Sequence, residues 1–318
     1  MVRRAETPAL AAKNPIATFL RRHGVMILDG GLATELEARG ADLGGGLWSA
    51  RLLRDDPDLV RRVHLDFLEA GADCITAASY QATLQGFRDR GLDDDEAVAL
   101  LGRSVELAAE ARELFRPPAG RMRPLVAASV GPYGAYLADG SEYRGDYGLG
   151  EEALYEFHRR RFEILAASGA DLVACETIPS LPEARALARL AARSGAWTWF
   201  SFSCLDPRHL HDGSELAAAV AAVAGLDNVA AVGVNCVPPG LVAGSIAEVR
   251  KVTDKPVVVY PNSGETWDAA GRCWRGAPDA ADPAAAPSWR RAGAALIGGC
   301  CRVRPSDIRR LRQSTATG

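Results

Sequence analysis

Apolar residues in this chain come in short unbroken runs rather than in strict alternation. Residues 25–29, 72–79, 124–130, 171–175, 197–202, 229–235, 256–260 and 294–299 each form such a run, bounded by turn-forming or polar residues. Runs of this length and continuity predict parallel strands buried on both faces. Between them the hydrophobic period lengthens to that of a helix. Residues 58–70 place Leu59, Val63, Phe67 and Ala70 on one face, and 94–115 form a longer amphipathic stretch. Further helices are expected over 151–167, 182–193, 214–224, 241–252 and 306–313, the last opening on Pro305 and a capping Ser306. The Ala- and Pro-rich segment 277–292 carries a fainter helical pattern.

Strands alternating with helices in this way predict an α/β chain folded as a single-domain (β/α)8 TIM barrel. A doubly wound open sheet is the alternative, because strand order is not written in one sequence. No linker divides the chain, so the barrel is expected to span 21–318, with 1–20 as a poorly ordered or peripheral N-terminal extension.

The 318 residues, 48% hydrophobic and 24% charged, suit one large globular domain. A formal charge of -3 offers no footprint for nucleic acid. No apolar run approaches the roughly 18 residues of a membrane helix, and the N-terminus lacks the apolar core of a secretory signal. A cytoplasmic location is the resulting expectation, and there the seven cysteines should be reduced thiols suited to metal binding or catalysis. Neither a phosphate-binding G-x-x-x-x-G-K-[ST] loop nor a G-x-G-x-x-G fingerprint is present, which disfavours a Rossmann-type methyltransferase.

The barrel reading has a geometric consequence. Active sites in this architecture gather where strands end. Asp29, Ser79, Glu176, Asn235, Cys236, Cys300 and Cys301 all fall at or just beyond the ends of the predicted strands. Cys236 would follow strand six and Cys300 and Cys301 strand eight, next-but-one neighbours around the barrel. Three thiols there suit a catalytic zinc ion, which takes three protein ligands and leaves a fourth position open. A vicinally oxidised pair or plain packing is the alternative. Cys74, Cys175, Cys204 and Cys273 read as buried apolar residues. His209 and His211 fall in a loop, with surface roles expected.

Val232-Gly233-Val234-Asn235-Cys236, taken with Gly298-Gly299-Cys300-Cys301, resembles the signature of the homocysteine S-methyltransferase family, a set of zinc-dependent TIM barrels. The resemblance runs through residues 25–312. It includes Leu28-Asp29-Gly30-Gly31, Leu47-Trp48-Ser49-Ala50, Ser79-Tyr80-Gln81-Ala82-Thr83, Ser129-Val130-Gly131-Pro132-Tyr133-Gly134-Ala135, Asp139-Gly140-Ser141-Glu142-Tyr143, Glu176-Thr177-Ile178-Pro179 and Tyr260-Pro261-Asn262-Ser263-Gly264-Glu265. The segments at 47–50 and 79–82 are similar to the branch using sulfonium donors, S-methylmethionine and S-adenosylmethionine. The N-terminal residues 1–24 and the glycine run 44–46 are less typical.

The resemblance implies Zn2+ held by Cys236, Cys300 and Cys301, and methyl transfer from a sulfonium donor to the thiol of L-homocysteine, yielding methionine. It implies that Asp29 and Glu176 meet the α-ammonium of homocysteine; the plain alternatives are an Asx turn and a charge near a helix start. Asn235 holds the loop or contacts substrate. Tyr80, with Tyr133, Tyr136, Tyr143 and Tyr147, either meets the cationic donor or packs loops. Trp48 and Trp267 read as loop packing. A betaine donor, a selenocysteine or other thiol acceptor, and a non-enzymatic zinc or redox sensor are the rival readings.

Overall fold

The computed structural model describes residues 13–43, 48–268, 273–276 and 285–316. Eight parallel strands form one sheet: β1 (Met26–Ile27), β2 (Cys74–Thr76), β3 (Leu125–Val130), β4 (Leu172–Ile178), β5 (Thr198–Phe202), β6 (Val229–Asn235), β7 (Val257–Tyr260) and, after a hairpin of β8 (Thr266–Asp268) and β9 (Cys273–Arg275), β10 (Ala294–Ile297). The order β1-β10-β7-β6-β5-β4-β3-β2 is sequential around a ring. A parallel bridge between Leu28 and Cys74 joins β1 to β2 and closes it. The chain is therefore a (β/α)8 barrel, not an open sheet.

The strands are continuous apolar runs because both their faces are buried. Outward-facing residues such as Val126, Val173, Phe200, Val232 and Val257 join the helices in one large cluster. Inward-facing Leu28, Cys74, Ala127, Ala174, Trp199, Val258 and Leu296 form a second. Two positions further along, alternation returns Thr76, Ser129, Glu176, Ser201 and Tyr260 to the interior. The barrel core thus changes from apolar to polar near the strand ends.

The outer helices include Pro57–Ala70, Asp94–Leu114, Glu151–Ala166, Leu181–Ser194, Leu216–Ala224, Val242–Arg250, Ala285–Ala292 and Pro305–Ala316. Their starts follow local chemistry. Asp93 accepts from the Glu96 backbone N–H and Glu96 returns the bond to Asp93, a reciprocal capping box. Only Ala285–Ala292 of the helical segment expected at 277–292 lies within the described residues. The glycine run 44–46 and residues 1–12 lie outside them.

Two features depart from expectation. Helix Pro15–His23 starts on Asn14, whose side chain accepts from Ala17 N, and it runs through residue 20. Its Ile16 and Phe19 are fully buried in the inner cluster, so this part of the N-terminal segment plugs the barrel where the strands begin instead of lying at its periphery. Strand β4 also runs past Cys175 to Ile178, with its register on β5 shifting between those residues. Glu176 therefore lies inside the strand, at an irregularity that re-aims the chain.

Candidate functional site

The strand ends bring Cys236, Cys300 and Cys301 together. Their sulfur atoms all lie within 4.8 Å of one another, with Cys301 Sγ 3.6 Å from Cys236 and 4.0 Å from Cys300. Backbone hydrogen bonds fix each position. Cys236 N donates to Tyr260 O (3.1 Å), Cys300 N to Pro261 O (2.8 Å), and Ser263 N to Cys301 O (3.2 Å). The loop after β1 clasps the other side, with Gly299 N donating to Asp29 O (2.9 Å) and Arg302 N to Thr34 Oγ1 (2.9 Å). A Cβ at Gly31 would stand 2.8 Å from Cys300 O, and one at Gly299 2.2 Å from Val303 Cγ1, so only glycine lets these loops interlock.

The backbone is strained here. Four non-glycine residues among those described have positive φ: Ala138, Thr177 (60°), Cys236 (52°) and Arg302 (68°). Three of the four are a site cysteine or the neighbour of a site residue. Left-handed backbone costs a residue with a Cβ roughly 1–2 kcal/mol, and such strain concentrates where the surrounding structure over-determines a functional geometry. The neighbouring sulfurs of Cys300 and Cys301 hold the Cys236 thiol well below its ordinary range, while Cys300 and Cys301 are pushed up, chiefly by Cys236.

A cavity of about 120 Å3 opens beside the sulfurs. Asp29, Thr76, Tyr80, Gln81, Glu142, Tyr143, Glu176, Thr177 and Tyr260 share its walls with the three cysteines. Asp29 accepts from Thr76 N (2.7 Å) and Thr76 Oγ1 (3.1 Å). Burial pushes its carboxyl up to about 8, with the nearby charge of Glu176 adding to the rise. Glu176 accepts from Ser129 Oγ and from Tyr260 Oη, the latter at 3.1 Å. Burial raises it to about 7. Each has accepting capacity beyond these bonds, and a cation between them would favour ionisation of both.

The remaining predicted residues separate. Asn235 is buried and does not line the cavity: its Oδ1 accepts from Thr177 N (2.7 Å), and its Nδ2 donates to Thr177 Oγ1 (2.8 Å) and lies 4.0 Å from Cys300 Sγ. It holds the strained residue that follows Glu176. Tyr80 is half-buried and lines the cavity. Of the four tyrosines after β3 only Tyr143 lines the cavity, its Oη 3.2 Å from Cys236 Sγ. Tyr133, Tyr136 and Tyr147 form an aromatic cluster with Phe157. His211 is half-buried, its ring edge-on to Tyr143 at 6.0 Å, while His209 pairs with Asp206. Cys74, Cys175 and Cys204 are buried free thiols. The side chains of Trp48, Trp267 and Cys273, and Leu47 entirely, lie outside the described residues.

Sequence reasoning assigned no role to Glu142. It is 3% exposed, burial raises its carboxyl to about 7, and its Oε2 has no hydrogen-bond partner. The signal was present as an acidic residue beside Tyr143, but the loop that turns it inward is not periodic.

The profile of the homocysteine S-methyltransferase family matches residues 26–315. The chain belongs to that family. It is 49% identical to the homocysteine S-methyltransferase of Escherichia coli (strain K12) over 309 residues, covering 95% of this chain and 99% of that protein. Homocysteine S-methyltransferase YbgG of Bacillus subtilis (strain 168) is 46% identical over 94% of this chain and 96% of its own length. The crystal structure of the metallated form of homocysteine methyltransferase MmuM from Escherichia coli superposes with a TM-score of 0.85 at 48% identity, covering 94% of this chain and 99% of that one. The chain is accordingly a methyltransferase enzyme. Among its described residues no helix is long and apolar enough to cross a membrane.

Proposed function

We propose that this enzyme transfers a methyl group from a sulfonium donor, S-methylmethionine or S-adenosylmethionine, to the thiol of L-homocysteine, using zinc held by Cys236, Cys300 and Cys301. One observation carries the reading: three convergent sulfurs and two buried carboxylates line a single cavity. The sulfur set suits zinc. Thiolates bound tetrahedrally at about 2.3 Å stand about 3.8 Å apart, and the spacings here are 3.6 and 4.0 Å. When bound, zinc supplies the charge that strips the proton from a coordinated thiol, which matters because a free thiol is only about 3% ionised at pH 7.

The chain's own residues do the rest. Asp29 and Glu176 bind the α-ammonium of homocysteine and direct its thiol toward the sulfur cluster. Asn235, through Thr177, sets the strained backbone that carries Glu176. Tyr143 keeps its hydroxyl against Cys236 and closes the cavity over the reacting sulfurs. In the transfer the acceptor sulfur forms the new S–CH3 bond while the donor's S–CH3 bond breaks, its electron pair staying on the donor sulfur, which becomes a neutral thioether. Holding both sulfurs in line contributes through proximity. A cluster of reduced thiols suits a reducing compartment, so we assign the enzyme to the cytoplasm.

The test is a methyl-transfer assay with homocysteine against S-methylmethionine, S-adenosylmethionine and betaine, repeated with selenocysteine as acceptor, with metal analysis of the same sample. The expected result is turnover with a sulfonium donor, stoichiometric zinc, and loss of zinc and of on the order of 10³-fold or more of rate in Cys301→Ser. Full activity in metal-free protein contradicts the zinc role, and turnover with betaine alone contradicts the donor.

A further inference from the structure

Two acceptor atoms in the cavity wall have no partner. Glu142 Oε2 and Gln81 Oε1 are both buried, on residues 3% and 4% exposed, and neither receives a hydrogen bond. A buried polar atom left this way costs about 1–3 kcal/mol, so two on residues lining one cavity point to a ligand that supplies donors. Their orientation is built in. Gln81 Nε2 donates to Ala135 O (3.1 Å), which fixes the amide with its oxygen the other way. Asp139 Oδ1 accepts from Ser141 N (2.9 Å) and sets the turn that presents Glu142. Gly134 leaves the space for it, since a Cβ there would stand 2.3 Å from Glu142 N. Both residues come from the loops after β2 and β3. Asp29 instead follows β1 and Glu176 lies within β4, each with protein partners of its own.

We infer that Glu142 and Gln81 form the subsite for the α-ammonium of the methyl donor. This deepens the proposed methyl transfer and rests on it. An ammonium group offers three N–H donors and a positive charge, matching a carboxylate oxygen and an amide oxygen that both lack donors and belong to residues lining one cavity. A trimethylammonium group has the charge but no N–H, and leaves both oxygens unsatisfied. The rings of Tyr80 and Tyr143 border the same wall and give the sulfonium cation aromatic faces. The subsite therefore selects by what sits far from the transferred methyl group.

The experiment uses the full-length zinc-loaded enzyme and its Glu142→Gln and Gln81→Leu variants. Losing the charged partner should raise the KM for S-methylmethionine at least about tenfold in Glu142→Gln, and by a smaller factor in Gln81→Leu. Zinc content and the KM for homocysteine should stay within about twofold. Wild type should use a dimethylsulfonium carboxylic acid lacking the amino group at least about tenfold less efficiently than S-methylmethionine, and Glu142→Gln should narrow that gap. An unchanged donor KM in both variants, a raised homocysteine KM instead, or equal use of the two donors by wild type overturns the inference. Calorimetric titration with S-methylmethionine and homocysteine separates the two levels. Donor binding that weakens in Glu142→Gln supports the subsite even without turnover, which would refute only the methyl transfer. Absence of donor binding to wild type refutes the subsite.

Discussion

Carboxylates where the strands of this barrel begin and those around the cavity where they finish are treated in opposite ways. Where the strands begin, Asp73 is fully buried yet meets Arg121 Nε at 3.2 Å, the Arg312 guanidinium and the backbone N–H of Ile27 at 3.0 Å. Asp171 meets Arg112 at 2.6 Å and Val126 N at 2.8 Å. Where the strands finish, Asp29, Glu176 and Glu142 are buried without a cation and are raised to about 8, 7 and 7, in each case chiefly by burial. The first end holds the barrel together. On the proposed function, the second holds carboxylates and thiols ready for charges that arrive with substrate and metal, and loses stability by doing so.

The comparison can be broken at its stable end first. Asp73→Ala leaves two arginines without their carboxylate and the Ile27 N–H without an acceptor, which should cost about 3–5 kcal/mol in urea unfolding and leave the homocysteine KM unchanged. A change in KM with intact stability would reverse the assignment of that end. Phe19→Ala removes the plug beneath the inner cluster and should cost roughly 3 kcal/mol, read by the same denaturation. Unchanged stability would mean the helix Pro15–His23 only rests on the barrel.

The substrate end gives a smaller, pH-dependent effect. Asp29 rises from 3.8 to about 8 on folding, so between those values the folded state keeps a proton that the unfolded state has lost. Stability of the substrate-free protein should therefore fall as pH rises through that window. Asp29→Asn removes the titration, so it should flatten the profile and stabilise the protein at pH 8 by about 1–3 kcal/mol. Parallel profiles for the two proteins would show that Asp29 ionises normally.

The division between the ends was partly legible in the sequence. Unbroken apolar runs marked the strands, and the barrel's geometry then carried Cys236, Cys300 and Cys301 to one rim despite their separation along the chain. What escaped was set by contacts across elements. The irregularity that keeps Glu176 inside β4 depends on Thr177 and Asn235, residues from different strands. Glu142 turns inward because Gly134 makes room for it, which no periodicity reports. The helix at Pro15–His23 did carry a readable start, Asn14 before Pro15, but its burial depends on the opening left by the barrel above it.

The central claim is that the three cysteine sulfurs hold a metal with one place open for the acceptor thiol. X-ray absorption at the zinc edge, on enzyme alone and with homocysteine, tests it most directly. The account predicts three sulfur ligands at about 2.3 Å without substrate and a fourth sulfur when homocysteine is added. A sulfur count that stays the same on adding homocysteine, or fewer than three sulfurs in the enzyme alone, would contradict it.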